Sequence, residues 1–315
     1  MKKTGLVIND ACRKHDTGDG HPESIARYDA VMEHLRGRAW FDQLDVRESP
    51  IEPTKHPERC HDPAYVALVG REVTSGRQQL STGDTLISKG SLSAAHAAVN
   101  AGILAVDQVV EGEWNNAFCV VRPPGHHARP AQGMGFCLFN NIGIAARYAQ
   151  EQHAMGKVLI VDWDVHHGNG TQDIFYEDES VYYFSTHQSP WYPGTGDKAE
   201  TGTGKGRGTT LNAPFPAGAG RKEILGAFQD RLSEAMEQYQ PELVMISAGF
   251  DSRVSDPLGQ FRLEDDDFGE LTTIVQALAD QHAEGRLISM LEGGYNLQGL
   301  SKAAGTHVKT LLDPA

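Results

Sequence analysis

No apolar run in this 315-residue chain approaches the roughly 18 residues that a membrane-spanning helix needs. The start, Met1 to Asp10, carries two lysines but no apolar stretch of signal-peptide length. Cysteine is scarce: Cys12, Cys60, Cys119 and Cys137 stand far apart, with no CxxC spacing. That argues against a disulfide scaffold and a zinc ribbon and suits a reducing cytosol, so a cytoplasmic protein is expected. Positive charge is in deficit, with 28 Lys+Arg against 42 Asp+Glu and a net charge of −14. Such a surface repels a phosphate backbone, so neither direct nucleic-acid binding nor a membrane partner is expected. It fits a cationic substrate drawn to a cleft, or simply a well-solvated surface, and charge alone does not separate the two. Repeats and low-complexity blocks are also missing. What remains is a globular balance, 39% hydrophobic and 22% charged, long enough to bury about three quarters of its unfolded surface without staples.

The chain reads as alternating strands and helices, which implies a parallel sheet with helices on its faces. Strands are expected over 4–9, 117–121, 158–165, 181–186, 243–248 and 287–291. Helices are expected over 24–36, 91–111, 141–155, 221–240, 265–284 and 300–312. Gly156 suits the position just past the third helix, and Pro241 and Gly285 stop the fourth and fifth. No linker-like composition splits the chain, so 1–315 is expected to be one domain. The oligomeric state stays open, a homo-oligomer included.

Polar clusters follow five of these strands: His126-His127 after 117–121, Asp162 to His166 at the end of 158–165, Ser185-Thr186-His187, Asp251 after 243–248, and Glu292 to Asn296 after 287–291. Parallel sheets bind ligands beyond the carboxyl ends of their strands, so the five clusters point to one crevice. In a strand, Asp162, Asp164 and His166 share a face. Two carboxylates and an imidazole there are costly to bury unless something pairs with them. A divalent metal would do so, and this thiolate-free set suits zinc, iron or manganese. Asp164 and His166 supply two ligands, Asp251 is the natural third, and Asp162 supports them from behind. The alternative is a buried hydrogen-bond network that orients loops. His126 and His127, on a loop stiffened by Pro123-Pro124, suit acid–base work on a metal-bound water. The alternation turns His167 away, towards packing. Tyr295, after two glycines, can donate to a developing oxyanion. The stretch 193–220, with Gly202, Gly204, Gly206 and Gly208, lacks the phosphate-loop pattern and reads as a mobile loop or a wall of the site.

RPPGHHA (122–128), GFCLFNN (135–141), VDWDVHHGNGTQDIF (161–175), SAGFDS (247–252) and EGGYN (292–296) together resemble the zinc-dependent histone deacetylase family. That family includes bacterial, class II-like histone deacetylase-like amidohydrolases and acetylpolyamine amidohydrolases, and the resemblance runs from about residue 20 to 312. It implies a three-layer arginase/deacetylase-like α/β fold, its central, mostly parallel sheet flanked by helices. It implies one catalytic Zn²⁺ on Asp164, His166 and Asp251, His126 and His127 as the acid–base pair, and Tyr295 as oxyanion donor. Gly135 and Phe136 fall where the family lines its acyl-lysine channel, with Trp191 or Tyr192 as the opposing wall. Asp162, Asp164, His166, Ser185 and Thr186 match an inner K⁺ site. Asn169 stands where class I relatives carry Asp, which bears on the protonation of His127.

The implied reaction is metal-assisted hydrolysis of an acyl amide. The polyamine-selective class II relative has a glutamate after an Asp-Pro, where this chain has Leu258. That favours acyl-lysine in a peptide or protein over an acetylated polyamine or another small amide. A non-catalytic acyl-lysine reader would have lost Tyr295 or a ligand, and a ureohydrolase would need a second metal.

Overall fold

Runs such as Val158 to Val161 and Leu243 to Ile246 lack polar alternation, which suits strands covered on both faces. The computed structural model describes residues 3–313 and places them so. Eight strands form one sheet: β1 (Thr4–Ile8), β2 (Asp45–Glu48), β3 (Asn116–Cys119), β4 (Val158–Asp162), β5 (Val181–Gln188), β6 (Thr210–Phe215), β7 (Leu243–Ala248) and β8 (Leu287–Leu291). Their order is β2-β1-β3-β8-β7-β4-β5-β6, and every pairing is parallel. The chain moves outward from β4 through β5 and β6, then returns so that β7 pairs with the other edge of β4. That reversal opens a crevice beyond the strand ends.

The helices are α1 (Ile25–Arg36), α2 (Pro63–Thr74), α3 (Ser91–Val110), α4 (Asn141–His153), α5 (Asn169–Phe175), α6 (Arg221–Gly226), α7 (Ser233–Tyr239), α8 (Asp265–His282) and α9 (Leu297–Leu312). α3 packs on α4, and α9 packs on both α1 and α8. The core runs through the sheet, whose central strands β3, β4, β7 and β8 are buried throughout. Among the described residues, no helix is long and apolar enough to cross a membrane. The four cysteines are buried free thiols.

Several elements differ from the sequence reading. β4 stops at Asp162, not at residue 165. β2 was not foreseen, because its Asp-Val-Arg-Glu sequence is that of a half-exposed edge strand. α2 starts on Pro63, which suits a first helical position. α9 starts at Leu297 because the Asn296 side chain accepts the Gly299 N–H at 3.0 Å. The helix expected over 221–240 is interrupted by a π-helical turn, Ala227–Leu232. α4 ends on Ala154, left-handed at φ 54°, and not on Gly156.

Candidate active site

After Asp162 the chain turns on its own short carboxylates. Asp162 Oδ1 accepts the Asp164 N–H at 3.1 Å, and Asp164 Oδ1 accepts the His166 N–H at 2.9 Å. Two such Asx-type turns in succession return every second side chain to one side, so the grouping expected of a strand survives the strand's early end. Asp251, just beyond β7, reaches in and accepts the Val165 N–H at 2.8 Å. Asp164, His166 and Asp251 are all buried, and one ligand atom of each lies within 4.8 Å of the others. Glycines make the room: a Cβ on Gly293 would stand 2.0 Å from Asp251 Oδ2, and one on Gly249 2.2 Å from Asp164 Oδ2.

In this cluster two buried carboxylates share one imidazole. His166 Nδ1 faces Asp164 Oδ1 at 3.0 Å and Asp251 Oδ2 at 3.2 Å. Asp251 Oδ2 is buried and finds no aligned hydrogen donor among the described residues. Burial and the adjacent Asp164 carboxylate push Asp251 up to about 7. Against burial, the hydrogen bond to Asp164 and the Asp251 carboxylate beside the ring raise His166 to about 10. A divalent cation held by the three residues would displace the His166 proton and give Asp251 Oδ2 a partner, and a one-nitrogen, carboxylate-rich set fits zinc, iron or manganese.

The two histidines stand side by side, ring centroids 4.0 Å apart, but have different partners. His126 Nδ1 lies 2.9 Å from Asp162 Oδ2, and His127 Nδ1 lies 2.8 Å from Asn169 Oδ1. Against burial, Asp162, Asp164 and Glu292 hold His126 well above the usual imidazole range. Burial, with the His126 and His166 rings beside it, holds His127 well below that range. The pair is therefore split by a carboxylate on one side and a neutral amide on the other.

A cavity of about 240 Å³ lies against His127, His166 and Tyr295. Gly135, Phe136, Trp191, Tyr192 and Leu258 complete its apolar walls, so all five channel residues named from the sequence meet here. Gly135, at φ 56°, is held to glycine, because a Cβ would stand 2.3 Å from the His127 ring. The Trp191 indole N–H donates to the Leu258 carbonyl at 2.8 Å. His167 turns away, as expected, to Thr195 and Gln172. The 193–220 stretch thus gives the cavity no lining residue, although the neighbouring Tyr192 does. Ser185 lies opposite Asp162 across β4 and β5, and Thr186 Oγ1 is buried without a partner among the described residues.

Three residues escaped the sequence reading. Asp84 touches the cavity, accepting the Gly135 N–H at 2.8 Å and the Tyr192 hydroxyl at 3.2 Å. Arg27, fully buried, donates to the Gly294 carbonyl at 2.6 Å and stacks 4.9 Å from the Tyr295 ring. Glu292 accepts main-chain N–H groups from the histidine loop. Asp84 and Arg27 lie far from the site in sequence and in no chemical cluster. Glu292 lies inside a named polar cluster, but its position after β8 gives it no role of its own in the sequence.

Residues 21–311 match the histone deacetylase domain. A probable deacetylase of Archaeoglobus fulgidus is 37% identical over 94% of this chain and 82% of its own length. A histone deacetylase-like amidohydrolase of Pseudomonas aeruginosa is 36% identical over 88% and 73%. The human polyamine deacetylase HDAC10 is 38% identical over 93% of this chain and 45% of its own length. The crystal structure of the HDA15 HD domain superposes with a TM-score of 0.93 at 33% identity, covering 99% of this chain and 90% of that one. The three-layer arginase/deacetylase architecture is the one found, with a sheet that is wholly parallel. Sequence match, fold and relatives agree that this chain belongs to the histone deacetylase family.

Proposed function

We propose that the chain is a zinc-dependent amidohydrolase that removes acetyl or other short acyl groups from the ε-amine of lysine. The observation that carries this is the buried Asp164–His166–Asp251 cluster, with Asp251 Oδ2 left without a donor among the described residues, beside a cavity that also holds His127 and Tyr295. A zinc ion on those three residues would polarise the acyl carbonyl and acidify the attacking water. His127, neutral and donating Nδ1–H to Asn169, presents Nε2 to take the water proton. His126, kept charged by Asp162, steadies the negative charge that develops and supplies a proton towards the leaving amine. The Tyr295 hydroxyl donates to the carbonyl oxygen as it gains charge. Phe136 and Tyr192 flank the acyl-lysine stem, and Leu258 keeps that wall apolar. A structural K⁺ near Asp162, Asp164, His166, Ser185 and Thr186 belongs to the same reading.

The competing substrate is an N-acetylated polyamine. It is favoured by the similarity to HDAC10 and by Asp84, an anionic side chain on the cavity. The test is kcat/KM of the zinc-loaded chain for an acetyl-lysine peptide against N-acetylputrescine and N-acetylspermidine, with a chelated control. The peptide is expected to win and the chelator to abolish turnover. Preference for the polyamines would replace the substrate and keep the chemistry. No chelator-sensitive turnover of any of them would overturn the reading.

A further inference from the structure

The side chains of the histidine pair are oriented by Asp162 and Asn169, but their placement also depends on the main chain that carries them. That main chain is held from β8. Glu292 directly follows the strand and is fully buried. Its Oε2 accepts both the Gly125 N–H, at 2.7 Å, and the His126 N–H, at 3.1 Å. Its Oε1 accepts the Ser247 hydroxyl at 3.1 Å. Among the described residues no lysine or arginine pairs with this carboxylate; Arg27 bonds only its main-chain carbonyl. A buried carboxylate is expensive, and three converging donors, with the charged His126 ring nearby, are what make it tolerable. The loop is also packed closely against the start of α4. A Cβ on Gly125 would stand 2.5 Å from the Asn141 N, and the Asn141 side chain bonds the Pro123 carbonyl at 3.1 Å.

We propose that Glu292 is the positioning residue of the His126–His127 pair, its reach fixing two successive peptide N–H groups and so the seat of both imidazoles. This rests on the function proposed above. The seating role lies in reach and hydrogen bonding; the Glu292 charge also supports the protonated His126, but after Asp162 and Asp164. A glutamine can imitate it: its carbonyl oxygen accepts both N–H groups while its NH₂ donates to the Ser247 hydroxyl. An aspartate cannot, since it keeps the charge but ends one bond, about 1.5 Å, short.

The experiment compares Glu292→Gln with Glu292→Asp in the zinc-loaded chain, on an acetyl-lysine peptide. Glu292→Asp is expected to lower kcat by about 10- to 100-fold, the scale of an ångström-sized misplacement. KM and zinc content should stay at their wild-type values, since Phe136, Tyr192 and Leu258 and the three candidate ligands are untouched. Glu292→Gln is expected to recover kcat to within about threefold of wild type. The reverse ranking, with aspartate active and glutamine dead, would assign Glu292 to charge and overturn the proposal. Equal turnover in all three, or a kcat loss matched by lost zinc, would also overturn it. Crystal structures of both variants supply a readout free of activity: the His126–Asp162 contact should open in Glu292→Asp and stay closed in Glu292→Gln. If the wild type turns over no acyl amide, the functional reading fails, while this structural comparison still decides whether Glu292 seats the pair.

Discussion

A tyrosine hydroxyl is useful as a donor only while it keeps its proton. Burial pushes Tyr295 well above the usual phenol range, although the Arg27 guanidinium pulls the other way. Tyr295 therefore remains a donor throughout the neutral and mildly alkaline range. In Tyr295→Phe the ring keeps its packing against Phe136, centroids 5.9 Å apart, and only the hydrogen bond to a developing oxyanion is lost. kcat for an acyl-lysine substrate should fall by roughly 10²–10³ at nearly unchanged KM, as for loss of one oxyanion-hole donor. Turnover near the wild-type value would remove Tyr295 from the mechanism. Tyr295 is legible in the sequence because it lies in a polar cluster at a strand end, as do Asp164, His166, Asp251 and the histidine pair. Asp84 was not, because nothing local distinguishes it: its role comes from a turn that brings it to Tyr192, 108 positions away.

At the scale of the element, apolar runs decided what could be foreseen. β4, β7 and β8 are mostly apolar segments without polar alternation, and the expected ranges match them to within three residues. β2 is a polar edge strand of four residues, and only its pairing with β1 reveals it. The end of β4 was missed because Asp162 and Asp164 bond main-chain N–H groups locally, a competition with the ladder that alternation does not register. The end of α4 was missed because a glycine two residues on was the obvious left-handed residue. Ala154 takes that conformation instead, exposed and at φ 54°, its N–H bonding the Ala149 carbonyl. A left-handed L-residue costs roughly 1–2 kcal/mol, and glycine returns part of this as extra freedom in the unfolded chain. Ala154→Gly should therefore stabilise by about 0.5–1 kcal/mol and raise Tm by about 1–1.5 °C. Calorimetry checks it, and an unchanged or lowered Tm would mean that the strain at Ala154 is absent in solution.

For the whole molecule, stability against pH is a sum over buried groups of opposite sign. Burial pushes the Asp251 and Glu292 carboxyls up to about 7, so on folding they take up protons as the medium turns acid. Burial pushes His61 and His187 down to about 4 and His307 down to about 3, so on folding these release them. The total curve mixes the two, and a single-residue difference separates them. His307 suits this, because it joins α8 to β8 through two neutral hydroxyls: Nδ1 lies 2.7 Å from Thr272 Oγ1 and Nε2 lies 2.8 Å from Ser289 Oγ. Its folded pKa is depressed, so the neutral ring stabilises the fold fully above the unfolded value of about 6.5. That contribution is lost as pH falls from there through about 3. His307→Gln carries no titrating group at this position. Whatever the variant costs at neutral pH, the wild type should lose about 2 kcal/mol more than the variant between pH 7.5 and pH 5, at about 1.4 kcal/mol per unit below 6.5. Urea unfolding of both proteins at the two pH values measures this. A stability difference equal at both would mean that His307 is not held neutral by the fold, and that the hydroxyls of Thr272 and Ser289 accept a charged ring as readily as water does.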